Sequence, residues 1–430
     1  MSSPATEASP PHPPMRAGTV VLVLSLLLGL QPIATDLYLP ALPSMTAAFG
    51  ASMPQAQLTL TAMLLAFGLS QLVWGPMSDR FGRRPVLLSG LVMYVLASVG
   101  CVFSGTFEQI IGWRTLQGIA MGAGVMGARA IVRDLYAPAE GARIMSKSLT
   151  GLGVLACLSS PLGGLLTEVG GWRTALAALA VFGAATLAVL FWRLEETLTH
   201  RNPDALAPAT LLGTWGHILR HPTFWAFTLL AGTSYSGLFT FLAASSFVFI
   251  QVFDLSRPLY GLLMFSVALA FIVGTLVCRW LLPRLGVRRT VRLAGGCTLL
   301  AGTLMGVLAL AGVQHMAAIV LPHYLFMLAH GVHQPCSQSG CVSPFPQAAG
   351  AASAMSGFLM MIAAFGMGGW LGHSLAAVGE GQGSVLPLTN GMWFWSVCIC
   401  LTAWTLVQRH GEAHAAPERV AAAGPAHPAP

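Results

Sequence analysis

Two charges lie where charges are costly, and they are the side chains best placed to do chemistry. Asp36 follows a run from Ala17 to Ile33 that holds no ionisable residue. Arg114 sits within Ile110-Ile111-Gly112-Trp113-Arg114-Thr115-Leu116-Gln117-Gly118. An ionised side chain in hydrocarbon costs several kcal/mol or more unless it is paired or hydrated. Asp36 is 20 residues beyond Arg16, and Arg114 is 19 before Arg133, roughly 30 Å and 28 Å of helix. The two therefore reach similar depth from one face. A buried acid and base at one level suggest a water-filled cavity with a titratable carboxylate. Burial would favour its protonated form and a nearby guanidinium its ionised form. Tyr38 and Gln117 are candidate linings of that cavity. A purely structural ion pair, or an Asp36 resting in the outer interface, fits the same residues.

A second constellation is Gly75-Pro76-Met77-Ser78-Asp79-Arg80-Phe81-Gly82-Arg83-Arg84-Pro85. Gly82 permits a positive φ in a tight turn. Asp79, beside Arg80, Arg83 and Arg84, could join Arg133 and Asp134 in an ion network that latches one face shut. Topology alone would explain the arginines but not the aspartates. A third, Ser159-Ser160-Pro161-Leu162-Gly163-Gly164, predicts a kink, because Pro removes a backbone bond and the paired glycines loosen packing. Pro161, Gly163 and Gly164 are thus a candidate hinge, with close helix packing as the alternative.

Other signals carry less. Gly122-Ala123-Gly124-Val125-Met126-Gly127 matches a dinucleotide fingerprint, but it lacks the preceding strand and the later acidic residue that the mechanism needs. His323, His330 and His333 share roughly one helix face without an acidic companion, so no metal site is expected. His330 could touch substrate or assist proton transfer. Tyr235 and Phe239 could line a substrate cavity, or simply pack. The eight cysteines include no C-x-x-C and read as small packing residues with free thiols.

The elements that must position these residues are membrane spans. The chain has 430 residues, is 55% hydrophobic and only 8% charged, and its mean hydropathy is +0.72. Soluble proteins carry about 25% charged residues. Apolar runs predict twelve helices, near 17–38, 55–76, 86–104, 108–133, 145–166, 172–193, 223–250, 259–282, 290–312, 315–340, 348–374 and 388–408. The first run is of spanning length, without a small-residue cleavage site, and is expected to stay in the membrane. Arginines crowd alternate loops, which places both termini in the cytoplasm. The net charge of +7 follows from that scatter, with no basic domain face for nucleic acid.

The expected organisation is a disordered terminus at 1–16, a six-helix bundle at 17–193, a cytoplasmic linker at 194–222, a second bundle at 223–410 and a disordered tail at 411–430. The halves are related: R-x-G-x-R at Arg80 recurs 204 residues later at Arg284. Two such halves around a midplane site form a known transporter plan.

Four stretches resemble the major facilitator superfamily, and within it the bacterial drug:proton antiporters of the Bcr/CflA type. They are Asp36-Leu37-Tyr38-Leu39-Pro40-Ala41-Leu42-Pro43, the loop from Gly75 to Arg84, Arg114 to Gly118 with Arg133-Asp134-Leu135-Tyr136, and Ser343-Pro344-Phe345-Pro346 with Gly350-Ala351-Ala352-Ser353-Ala354. The resemblance implies an all-α membrane fold of twelve helices in two pseudo-symmetric bundles, with alternating access. It implies a monomer in the bacterial inner membrane that exchanges protons for small amphipathic drugs, giving antibiotic resistance. No cofactor is needed beyond the proton gradient. Asp36 would be the coupling acid, Arg114 its partner, and the Asp79, Arg83 and Asp134 cluster the inner gate. The span 5 glycines depart from the antiporter pattern, since only Leu162 separates Pro161 from Gly163. An uptake symporter and a non-transporting receptor or scaffold are the rival readings. No nucleophile constellation suggests an enzyme.

Overall fold

The computed structural model describes residues 15–411 except 137, 200, 314 and 378–383. The expected disordered ends at 1–16 and 411–430 fall almost wholly outside the described residues. Long apolar helices dominate: α1 Ala17–Asp36, α2 Met53–Phe81, α3 Arg83–Val102, α4 Phe107–Leu135, α5 Pro138–Gly170, α6 Trp172–Arg193 and α7 Pro222–Phe247. A 54-residue helix, Arg257–Leu310, is broken at Gly286 (φ 70°, ψ 171°) into α8, 257–285, and α9, 287–310. Then follow α10 Ala317–Val342, α11 Ala349–Ala377 and α12 Leu386–Trp404.

These helices start where the sequence supplies caps. Ser52 with Gln55 and Thr106 with Gln109 form reciprocal capping boxes at α2 and α4, satisfying backbone donors that a helix start leaves bare. Large apolar side chains such as Leu96, Val181, Trp192 and Leu321 are exposed all round the outside, as a lipid-facing surface requires. Nearly all the helices are long and apolar enough to cross a membrane by length and composition. The 26-residue α10 falls short only because histidines, prolines and glutamine dilute its hydropathy. Its three histidines are nevertheless buried within the second bundle and so avoid lipid.

Two features depart from the simplest reading of the sequence. The first span does not stop at Tyr38. After Asp36 it continues as a 3-10 turn, Leu39–Ala41, and a helix, Leu42–Phe49, so that the apolar segment runs from Ala17 to Phe49. Asp36 therefore lies within this apolar segment and not at its end. The connection between the halves is also not featureless, because Pro208–Leu219 forms a helix.

The internal repeat is visible in backbone geometry. Gly82 (φ 106°) and Gly286 (φ 70°) are 204 residues apart and make the same left-handed turn between consecutive spans. Only Gly adopts that region without a Cβ penalty. At Gly82 a Cβ would also press on the Glu196 carboxylate. The halves meet along α2 with α11, where Gly68 lies under Met361 and Gly357 faces Gln71, and along α5 with α8, where a Cβ on Gly261 would sit 2.6 Å from Pro161.

Candidate functional site

Arg114 has no exposed surface. One guanidinium nitrogen donates to Gln117 Oε1 at 2.6 Å and another to the Ala34 carbonyl at 2.9 Å. The group stacks 4.2 Å from the Tyr38 ring centroid. Ala34 is among the last four residues of α1, whose carbonyls have no partner within the helix and carry the negative end of its dipole. That helix end supplies the buried cation with partial negative charge. The network extends through Gln117 Nε2 to Ser98 Oγ (2.7 Å), and Tyr38 OH bonds Thr59 at 2.8 Å. Arg114 thus ties together α1, α2, α3 and α4.

Asp36 points elsewhere. Its one side-chain hydrogen bond is from Thr35 Oγ1, at 3.0 Å, and among the described residues it forms no ion pair. It is half-buried. The 3-10 turn Leu39–Ala41, which follows it, touches α7 and α8 of the second bundle. Equal depth therefore does not make the two residues a pair: Arg114 faces the interior of the first bundle, while Asp36 faces the seam between the bundles. The expected partnership is corrected to a backbone tether, with Arg114 holding α1 two residues before Asp36. Tyr38 and Gln117 have no exposed surface and serve Arg114, so they do not line a cavity in this structure.

The cluster on the arginine-rich face does assemble. Arg83 is buried and bonds Asp79 at 2.6 Å, Asp134 at 2.8 Å and Ser78 Oγ at 2.6 Å. Arg133 lies 3.4 Å from Asp79 and 3.9 Å from Asp134. Gly75 packs near Met126, Arg80 is exposed over Phe81, and Arg84 stacks on Phe191 and donates to its carbonyl. Glu196 is an addition that the sequence gave no reason to choose. Its carboxylate accepts from the backbone N–H groups of Arg83 (2.9 Å) and Arg84 (3.2 Å), capping α3 from the chain that follows α6. Loss of a helix cap costs about 1 kcal/mol. Glu196→Ala is accordingly expected to lower the thermal unfolding midpoint in detergent, with Asp204→Ala, outside the cluster, as the unchanged control.

Every member of that cluster belongs to the first bundle, so by itself it cannot hold the two bundles together. The cross-bundle contact on this face comes from Arg129, which donates to Ser353 Oγ of α11 at 2.5 Å, while Arg133 approaches Gly350. In the sequence Arg129 is one more arginine near a span end. Its role follows only from the packing. On the opposite face the bundles are joined by the Arg257–Glu168 ion pair (2.9 Å) and by Gln57 Nε2 donating to the Ala243 carbonyl (2.9 Å).

At the candidate hinge the structure shows close packing. The helix α5 is continuous through Pro161. A Cβ on Gly163 would collide with the Leu37 carbonyl, and one on Gly164 with the Arg257 carbonyl. The glycines admit a neighbouring backbone, as small residues do between membrane helices. Gly164→Ala is expected to cut transport several-fold by forcing α5 from α8. Gly153→Ala, where nothing lies within 4 Å, should leave a transport assay unchanged.

In the second bundle Tyr235 and Phe239 are buried, the latter against Gly368. His330 Nδ1 lies 2.8 Å from Ser234 Oγ. His323 is stacked on Phe241, with ring centroids 3.4 Å apart. Among the described residues no group of three His, Cys, Asp or Glu side chains is placed to hold a metal ion.

This arrangement has known counterparts. The Major Facilitator Superfamily profile matches residues 24–368. The chain is 29% identical over 90% of its length to a chloramphenicol resistance protein of Pseudomonas aeruginosa, covering 88% of that protein. It is 30% identical over 87% of its length to multidrug resistance protein D of Escherichia coli, covering 93% of it. A bicyclomycin resistance protein homolog of Haemophilus influenzae is 24% identical over 86% of the chain and 92% of its own length. In fold it is similar to the xylose transporter XylE from E. coli, in a partially occluded inward open conformation (TM-score 0.71, 15% identity, 91% of this chain and 97% of that one). It is also similar to the human organic anion transporter MFSD10 (TM-score 0.66, 22% identity, 92% and 100%). Twelve helices in two related bundles, a charged left-handed turn repeated in each half, and relatives of the Bcr/CflA kind agree: the chain belongs to the Major Facilitator Superfamily, as a membrane transporter and not an enzyme.

Proposed function

We propose that this transporter exports small amphipathic drugs from the bacterial cytoplasm across the inner membrane in exchange for protons. It works by alternating access as a monomer, with both termini cytoplasmic. The proton gradient is its energy source, and it uses no cofactor. The observation that carries the reading is Asp36: a half-buried carboxylate within an apolar segment, beside the seam of the bundles, with no ion-pair partner among the described residues. Such a group sheds its charge by taking a proton, and takes it up again when water reaches it. Proton occupancy is thereby linked to which bundle faces are closed around it. The drug-resistance names of the relatives support export of drugs as the task.

The test is a susceptibility panel in a strain stripped of its own exporters. Expression of the chain should raise tolerance to a subset of amphipathic antibiotics and lower their energised accumulation. A panel without change, together with proton-driven uptake of a metabolite, would replace the exporter with a symporter.

A further inference from the structure

We propose that Ser234, His330 and His333 form a hydrogen-bonding subsite for uncharged, amide- or hydroxyl-bearing aromatic substrates. The inference rests on the drug-export reading and narrows it to one substrate class. Ser234 Oγ lies 2.8 Å from His330 Nδ1 and 3.4 Å from His333 Nδ1. A hydroxyl has one proton, so it donates to one ring and accepts an N–H from the other. The ring whose Nδ1 accepts must then carry its proton on Nε2, and the ring whose Nδ1 donates has a lone pair there. Whichever way the hydroxyl turns, the unit offers one donor and one acceptor from residues three apart on one helix face.

His333 Nε2 is buried and has no hydrogen-bond partner, and His333 itself has no exposed surface. Native interiors satisfy such atoms with protein, ligand or water. Aromatic walls stand beside the unit: Phe326 is stacked with the His330 ring at 6.3 Å, and Phe271 lies 5.5 Å from it. Its titratable neighbours are His323 on the same helix and Cys336 with Cys278 of α8 close below. Among the described residues no carboxylate or arginine is hydrogen-bonded or ion-paired to it. A cation therefore finds no counter-charge here, whereas an amide or a hydroxyl finds its complement. A cationic substrate would depend on Asp36 and bypass the histidines.

The experiment measures binding to the purified full chain in detergent, with two probes. Chloramphenicol is neutral and carries an amide and hydroxyls; tetraphenylphosphonium is a cation with no hydrogen-bonding group. His333→Phe is expected to weaken chloramphenicol about tenfold, the size of one hydrogen bond, and to leave tetraphenylphosphonium within twofold. His333→Gln, which can place a polar atom near Nε2, should restore most of the loss. Ser234→Ala should mimic His333→Phe, and it serves where the bulkier change fails to fold. Wild-type protein that binds both probes, with the variants unchanged or equally weakened for both, overturns the subsite alone. Wild-type protein that binds neither overturns the drug-export reading and the subsite with it.

Discussion

Asp36→Asn is expected to abolish proton-driven drug extrusion while leaving passive exchange of drug across the membrane intact. The side chain keeps its size and its hydrogen bond with Thr35, and loses only the capacity to bind and release a proton. The membrane potential is worth about 2.3 kcal/mol per charge per 100 mV, roughly a 50-fold concentration ratio for a neutral drug exchanged for one proton. Vesicles with the wild-type chain should sustain a drug gradient of that order, and vesicles with Asp36→Asn none. Counterflow of labelled against unlabelled drug should persist in the variant, since the bundles can still rock around an uncharged side chain. Loss of both activities would mean that Asp36 holds the fold and not the proton.

The second large effect belongs to Arg114. Arg114→Ala strips the Ala34 carbonyl and Gln117 Oε1 of their donor and removes the cation beneath Tyr38. Each buried acceptor left bare costs about 1–3 kcal/mol. The end of α1 is then held only by packing and by the Tyr38–Thr59 bond. The expected result is a lowered thermal midpoint together with at least a tenfold loss of transport, although Arg114 never touches Asp36. Arg114→Lys should rescue little, because a single ammonium cannot reach Gln117 and Ala34 in the geometry of a planar fork. The double variant Asp36→Asn with Arg114→Gln separates a tether from an ion pair. Two members of a pair partly compensate when both charges are removed, whereas a tether and a proton site lose function independently. Recovery of transport in the double variant over Arg114→Gln alone would restore the ion-pair reading.

Much of this was legible in the residues. Twelve apolar runs, the R-x-G-x-R repeat and the isolation of Asp36 among lipid-soluble neighbours fixed the fold and its first candidate, because the cost of charge in hydrocarbon acts on sequence before any packing is known. The Asp79, Arg83 and Asp134 cluster was legible for another reason: acidic residues beside loop arginines are more than topology requires. Depth along a helix can also be counted in residues, but which face of one helix meets which face of another cannot. For that reason Asp36 and Arg114, at similar depth, do not meet as expected: Asp36 is the last residue of α1, two positions or about 200° of helix beyond Ala34, and it is the Ala34 carbonyl that takes the arginine. Glu196 and Arg129 act across 113 and 224 residues, contacts for which no local pattern exists. Gly163 and Gly164 could mark flexibility or close approach, and the close approach is visible only once the carbonyls of Leu37 and Arg257 are placed beside them.

The central claim is that Asp36 carries the proton that is exchanged for substrate. Its most direct test is the pH change when drug is added to purified protein in nearly unbuffered detergent solution. Wild-type protein should release protons as drug binds, and Asp36→Asn should bind drug and release none. Equal proton release from the variant would place the coupling acid elsewhere in the chain.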